Sequence, residues 1–205
     1  MKILLSCFEP FAGDAVNPAR EAVARLPGQI GGAEIARVEL PVVFGAAERL
    51  LTEAIASERP DAVLCVGQAG GAAAIRVERV AINVDDARIP DNAGAKPEDL
   101  PIVSGGPAAY FSTLPIKRMV RAIRESGADA EVSNSAGTYV CNHVFYCAMR
   151  AADAAGIRAG FVHVPFIPEQ TQNRPGAKSM PLETIARALE AAVECVANAL
   201  SKPRQ

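Results

Sequence analysis

Strand-like and helix-like segments alternate along the whole chain, and this order restricts the fold more than any other feature. Ile3 to Ser6, Ile35 to Leu40, Ala62 to Gly67, Ile75 to Val84, Ala130 to Ser133 and Gly160 to Val164 are short apolar or alternating runs that read as strands. Helices are expected from Pro18 to about Leu26, Gly45 to Ser57, Pro115 to Ser126, Cys141 to about Ala155, and Pro181 to Leu200. Asn17 ahead of Pro18 supplies an N-cap and then the residue suited to the first helical position. Such an order implies an α/β fold: a twisted, mostly parallel central sheet with helices on both faces. At 205 residues, 50% of them hydrophobic, the chain can bury one sizeable core, and no repeat or linker divides it. In sheets of this kind the ligand crevice lies at the carboxyl ends of the strands. The segments 7–16, 67–74, 85–107, 134–138 and 165–180 are therefore where functional groups are expected.

Charge and cysteine usage narrow the function. A formal net charge of −2 gives no electrostatic case for nucleic acid or a membrane surface. The apolar run in MKILLSCFEP is too short for a signal peptide, and no stretch approaches the ~18 apolar residues of a membrane span. Five cysteines, an odd number without a C-x-x-C, fit a reducing cytoplasm better than a disulfide framework. With only two histidines, no metal site is expected. The run GQAGGAAA lacks both phosphate-binding glycine patterns, so no nucleotide cofactor is expected either.

The segment SNSAGTYVCNHVFYCA, residues 133–148, carries the strongest chemical signal. It leads a small polar loop into a helix with Cys141 in the first turn. A helix start gathers unpaired N–H groups and partial positive charge, which favour a thiolate and offer donors to an oxyanion. Against that stands the common buried cysteine, inert and merely packed. A thiolate nucleophile needs a base. His143 follows Cys141 by two positions, about 200° around the helix, so the two side chains diverge and His143 reads as structural. His163, near the end of GFVHVP, is delivered to the crevice and is the better base. The orienting acid stays open between Glu78, which sits in the apolar pattern IRVERVAINV beside Arg76 and Arg79, and Asp85, Asp86 or Asp91. Arg88, in NVDDARIPDN, either supports an oxyanion or pairs with a nearby acid. Phe8 and Phe11 either wall an apolar pocket or close the end of the core, and Gln68 could offer an amide to a polar ligand. Cys7 ranks second among reactive thiols; Cys65, Cys147 and Cys195 read as structural.

FEPFAGDAVNP, GQAGG, ERVAINVDDARIPDN, SNSAGTYVCNHVFY and HVPFIPEQ occur in this order, and together they resemble the pyroglutamyl peptidase I (pyrrolidone-carboxylate peptidase) family over almost the whole chain. The resemblance implies one catalytic domain over residues 1–205, a cysteine peptidase that removes an N-terminal pyroglutamyl residue from peptides. It implies Cys141 as nucleophile, His163 as general base and acid, and Glu78 as the orienting acid, with Arg88 beside the oxyanion. Phe8, Phe11, Gln68, Ile89, Tyr139 and Val140 match family positions around the pyrrolidone ring. No metal or cofactor is implied, and a cytoplasmic homotetramer is. Ser6-Cys7 departs from the threonine and glycine usual before that phenylalanine, and Tyr139 replaces a phenylalanine found in some members. Two rivals remain: another enzyme on a related scaffold, such as a nucleoside phosphorylase, and a catalytically silent binder that keeps the pocket.

Overall fold

A computed structural model describes residues 1–201. In chain order the elements are β1 (Lys2–Phe8), α1 (Pro18–Arg25), β2 (Gln29–Ile30), β3 (Ala33–Leu40), α2 (Ala46–Glu58), β4 (Ala62–Gln68), β5 (Ile75–Glu78), β6 (Val80–Ile82), β7 (Ala109–Phe111), α3 (Ile116–Glu125), β8 (Ala130–Ser133), α4 (Val140–Ala155), β9 (Arg158–Val164), α5 (Pro168–Thr171) and α6 (Leu182–Leu200). Seven strands form one sheet in the order β2-β3-β1-β4-β9-β5-β8. The four central strands, β3, β1, β4 and β9, run parallel. β2 and β5 lie antiparallel to β3 and β9, and β8 runs parallel to β5.

The expected helices form where the sequence places them. The Asn17 side chain accepts from Ala19 N–H at 3.0 Å and opens α1, and Gly156, at φ 68°, ends α4 in the left-handed conformation that glycine adopts freely. α1, α3 and α6 pack an apolar layer on one face of the sheet, among them Val23, Met119 and Leu189. α2 and α4 pack the other, with Leu51, Phe145 and Phe161 at its centre. Both faces of the central strands are thus removed from water, which is why these strands read as continuous apolar runs.

The expected strand Ile75–Val84 is divided. β8, the ladder partner of β5, ends at Ser133, so the chain beyond Arg79 has no edge to follow. It turns instead into β6, which pairs with β7 in a separate two-stranded ribbon. The short β2, β7 and α5 have no sequence signal of their own. The long segment between β6 and β7 is irregular, as expected, yet firmly tied. Asn83 Nδ2 donates to Val103 O and Val103 N donates to Asn83 Oδ1, each at 2.8 Å, and Asp85 and Leu100 exchange main-chain bonds.

Candidate active site

Strand register fixes the centre of the site. β4 and β9 pair so that Gly67 lies beside His163, and β5 and β9 pair so that Arg76 lies opposite His163. Side chains alternate across a sheet, so Gly67, Phe161, His163, Arg76 and Glu78 all face α4. Glu78 is the diagonal neighbour of His163, close enough for a glutamate to span. Its Oε1 lies 2.8 Å from His163 Nδ1, both groups being buried. The other imidazole nitrogen is left for the sulfur of Cys141, which acts on His163 electrostatically.

Cys141 reaches this point because the first turn of α4 lies over β4. The backbone of Gly67 forms the seat: a Cβ there would lie 3.0 Å from Cys141 Sγ and 2.8 Å from Phe161 Cζ. A glycine inside a strand marks close approach by another group, and here that group is the half-buried sulfur. The N-cap of α4 is Tyr139, whose side chain caps nothing; the first helical bond runs from His143 N to Tyr139 O at 3.1 Å. The N–H groups of Val140, Cys141 and Asn142 thus precede the helical ladder, beside the sulfur.

Burial acts to lower the His163 pKa, but hydrogen bonds to Cys141 and Glu78, with the charges on both, outweigh it and push the group up to about 9. The imidazole is therefore protonated at neutral pH. Glu78 is sealed from water, and its Oε2 has no hydrogen-bond partner among the described residues. An anion in such a place requires a close cation, and protonated His163 supplies one. Cys7, by contrast, is a buried thiol that burial pushes up to about 11, and Cys65 is pushed to about 12 for the same reason. Neither has the environment of a reactive thiolate.

The segment after β6 is clamped against the start of α4. Asp86 N donates to Thr138 O at 2.9 Å, Thr138 Oγ1 donates to Asp86 O at 2.8 Å, and Tyr139 OH donates to Pro90 O at 2.9 Å. These bonds hold exposed Arg88 and Ile89 next to the helix start, and no hydrogen bond or ion pair occupies the Arg88 guanidinium among the described residues. Asn142 tightens the same junction: its amide donates to Ile82 O and Val84 O and accepts from Ile82 N–H. Across the gap, Glu9 accepts from Val42 N–H and Asn92 Nδ2, which ties the Phe11 loop to the Arg88 loop. Phe11 and Phe44 flank Tyr139, with ring centroids 6.4 and 5.5 Å from it.

The other candidates are placed differently. Phe8 is buried against Phe161 and belongs to the core beneath the crevice, and Val140 is buried as well. The Gln68 side-chain oxygen accepts from Gln170 Nε2 at 3.0 Å, on the sheet face away from Cys141. Asp85 holds His143 Nδ1 at 2.8 Å, on the far side of α4. Asp91 is a loop organiser, accepting from Phe44, Ala93 and Ala95 N–H groups. Sequence reasoning passed over Gly67, Phe44 and Asn142. Only Gly67, a glycine in an apolar strand, carried a readable signal.

A sulfur, an imidazole and a carboxylate in file are the parts of nucleophilic acyl transfer. A family model described as pyroglutamyl peptidase matches residues 1–199. A pyrrolidone-carboxylate peptidase of Erwinia tasmaniensis is 56% identical over 94% of this chain and 91% of its own length, and one of Levilactobacillus brevis is 51% identical over 96% and 97%. The crystal structure of pyroglutamyl peptidase I from Bacillus amyloliquefaciens superposes with a TM-score of 0.93 at 48% identity, covering 96% of this chain and 97% of that one. A mutant pyrrolidone carboxyl peptidase from Pyrococcus furiosus also gives 0.93, at 44% identity over 98% of this chain and 100% of the other.

Proposed function

The chain belongs to the pyroglutamyl peptidase family, and from that premise we propose that residues 1–205 form one catalytic domain that removes N-terminal pyroglutamate from peptides through Cys141, His163 and Glu78. The observation that carries this reading is the unbroken file from the Cys141 sulfur through His163 to the Glu78 carboxylate, 2.8 Å at its second step. The sulfur attacks the scissile carbonyl as the thiolate, opposite a protonated imidazole. N–H groups at the start of α4, joined by Arg88, hold the oxyanion. His163 then gives its proton to the leaving amine, and the same imidazole draws a proton from the water that hydrolyses the acyl-enzyme. Glu78 holds the ring in place and balances its charge. The chemistry uses no metal or cofactor.

Pyroglutamate has no free α-amino group, only a flat lactam with one donor and one acceptor. Phe11, Tyr139 and Ile89 form the slot, with Phe8 and Val140 as its floor. Gln68 contributes its main chain, its side chain lying on the other sheet face against Gln170. A homotetramer in the cytoplasm is part of the same proposal. Five free cysteines suit a reducing compartment, and Leu100 and Phe111, 54% and 66% exposed, are apolar surface suited to subunit contact. No helix among the described residues is long and apolar enough to cross a membrane. The test is hydrolysis of a fluorogenic pyroglutamyl amide with and without iodoacetamide. Cleavage abolished by alkylation is expected, and no cleavage by freshly reduced enzyme would overturn the proposal.

A further inference from the structure

We propose that Glu48, His143 and Cys147 form a binding site for a zinc-like divalent transition-metal ion, separate from the Cys141 centre. His143 and Cys147 are one helical turn apart on α4 and so share a face, roughly 200–240° around the axis from Cys141. α2 packs on that face and brings Glu48 from its first turn. One ligand atom from each residue lies within 4.8 Å of the other two. A tetrahedral ion with bonds of about 2.0–2.3 Å sets its ligands roughly 3.3–3.8 Å apart, so a closure of about 1 Å completes the site. Glu48, half-exposed, is the member with room to swing inward, and it leaves a way in for the ion.

A second observation orients the cluster. Asp85 accepts the Nδ1–H of His143 at 2.8 Å, which leaves the lone pair on Nε2. Nε2 looks toward Glu48 Oε2, 3.6 Å away, and its one hydrogen bond there is a long contact of 3.4 Å from Gly45 N–H. A carboxylate behind a histidine ring is the arrangement that fixes metal-ligating imidazoles. The other Asp85 oxygen, Oδ1, is buried without a partner among the described residues. Cys147, without an ion, is a free and buried thiol on the same face. Binding an ion replaces the thiol proton, which passes to solvent, and sets a dication against one thiolate and one carboxylate without any redox change. Thiolate, imidazole and carboxylate together select zinc-like ions over calcium or magnesium. A water completes the fourth position.

The test uses full-length chain carrying Cys141→Ser, so that the reactive sulfur does not bind metal, stripped of metal and titrated with zinc chloride against a chromophoric chelator. One equivalent is expected to bind and to raise Tm by about 5 °C at saturating zinc. Cobalt(II) in its place is expected to give a thiolate charge-transfer band. Adding Cys147→Ala is expected to remove the band and weaken zinc at least about tenfold, and Glu48→Gln to weaken zinc while the band remains. Glu48→Gln lies at the protein surface and keeps the test informative if Cys147→Ala folds poorly. Cys195→Ala, far from the cluster, is expected to change nothing. Zinc affinity unchanged by both cluster substitutions, or no binding above that of the Cys147→Ala chain, would overturn the site.

Discussion

Substituting alanine at Gly67 adds one methyl group to the strand that seats the proposed nucleophile, Cys141. Its Cβ would lie 3.0 Å from Cys141 Sγ and 2.8 Å from Phe161 Cζ, against a comfortable separation of about 3.5–4.0 Å. Either the sulfur retreats by roughly 0.5–1 Å or the Phe161 ring yields. The ring has little room, because Phe8, Phe145 and His163 pack around it at centroid distances of 6.4, 5.7 and 4.7 Å. A shift of Phe161 also moves His163. Both routes disturb the same pair, and a misplacement near 1 Å costs on the order of 10²-fold in rate. Gly67 does not have the positive φ that only glycine tolerates, so alanine brings a backbone gain of about 0.5–1 kcal/mol. Overpacking costs about 1–3 kcal/mol, which leaves a net loss of about 0–2.5 kcal/mol and a Tm lower by up to roughly 10 °C. Turnover of a pyroglutamyl amide, the rate of iodoacetamide alkylation and thermal melting measure the three effects. The expected result is a kcat about 100-fold lower with KM nearly unchanged, in protein that remains folded at the assay temperature. Wild-type turnover and alkylation in Gly67→Ala would refute the seating of the sulfur on β4.

Cys141→Ser is expected to lose nearly all activity with Tm preserved, whereas Cys7→Ser stays active; the reverse result would move the nucleophile to Cys7. Because His163 is held up to about 9, the alkaline fall in kcat/KM should lie near that pH, and Glu78→Gln should move it lower by removing one of the groups that raise it. An alkaline limb unmoved in that variant would detach Glu78 from the imidazole. The same raised pKa bears on stability: the folded value exceeds the unfolded 6.5, so the contribution is complete below about pH 6.5 and is lost as pH rises through about 9, which urea midpoints across that window would register. A prolyl amide has the ring without the lactam carbonyl and should be cleaved on the order of 10⁴-fold less efficiently than the pyroglutamyl amide; comparable rates would remove the polar contacts from the slot.

How much of the fold was legible follows from where local signals coincide with global ones. The buried strands announced themselves because both their faces are covered, and Asn17-Pro18 marked α1 because cap chemistry is local. The break at Arg79 was only faintly legible. The alternation of residues 75–84 falters there, with Glu78 and Arg79 both polar and Val80 to Ile82 all apolar. A slip of this kind also fits a bulge within one strand, and the end of β8 at Ser133, decided elsewhere in the chain, is what stops the ladder. β2 and β7 are two and three residues long, too short for periodicity to register. The metal-site geometry divides in the same way. The spacing of His143 and Cys147 is visible in sequence, but Glu48 joins them only through the packing of α2 on α4, and a count of two histidines argued against any site.

The site itself divides along the direction of one strand. Cys141 and His163 stood out as candidates because each occupies a position with its own chemistry, a helix start and the end of a parallel strand. Glu78 could not be separated from Asp85, Asp86 and Asp91 by that logic, which assumes that useful acids sit at the crevice rim. β5 runs against β9, so its carboxyl end points away from the rim and sets Glu78 level with Phe161, below the imidazole. The rim aspartates are left to other work, Asp85 behind His143 and Asp91 within its loop. Reversal of this strand grades the file by exposure: a half-open sulfur, an imidazole 6% exposed and a carboxylate at 0%. In the proposed reaction substrate meets the sulfur, while water is kept from the charge that holds the imidazole protonated. In a wholly parallel sheet the same glutamate would stand at the mouth of the crevice, where solvent would screen it and weaken its hold on the proton.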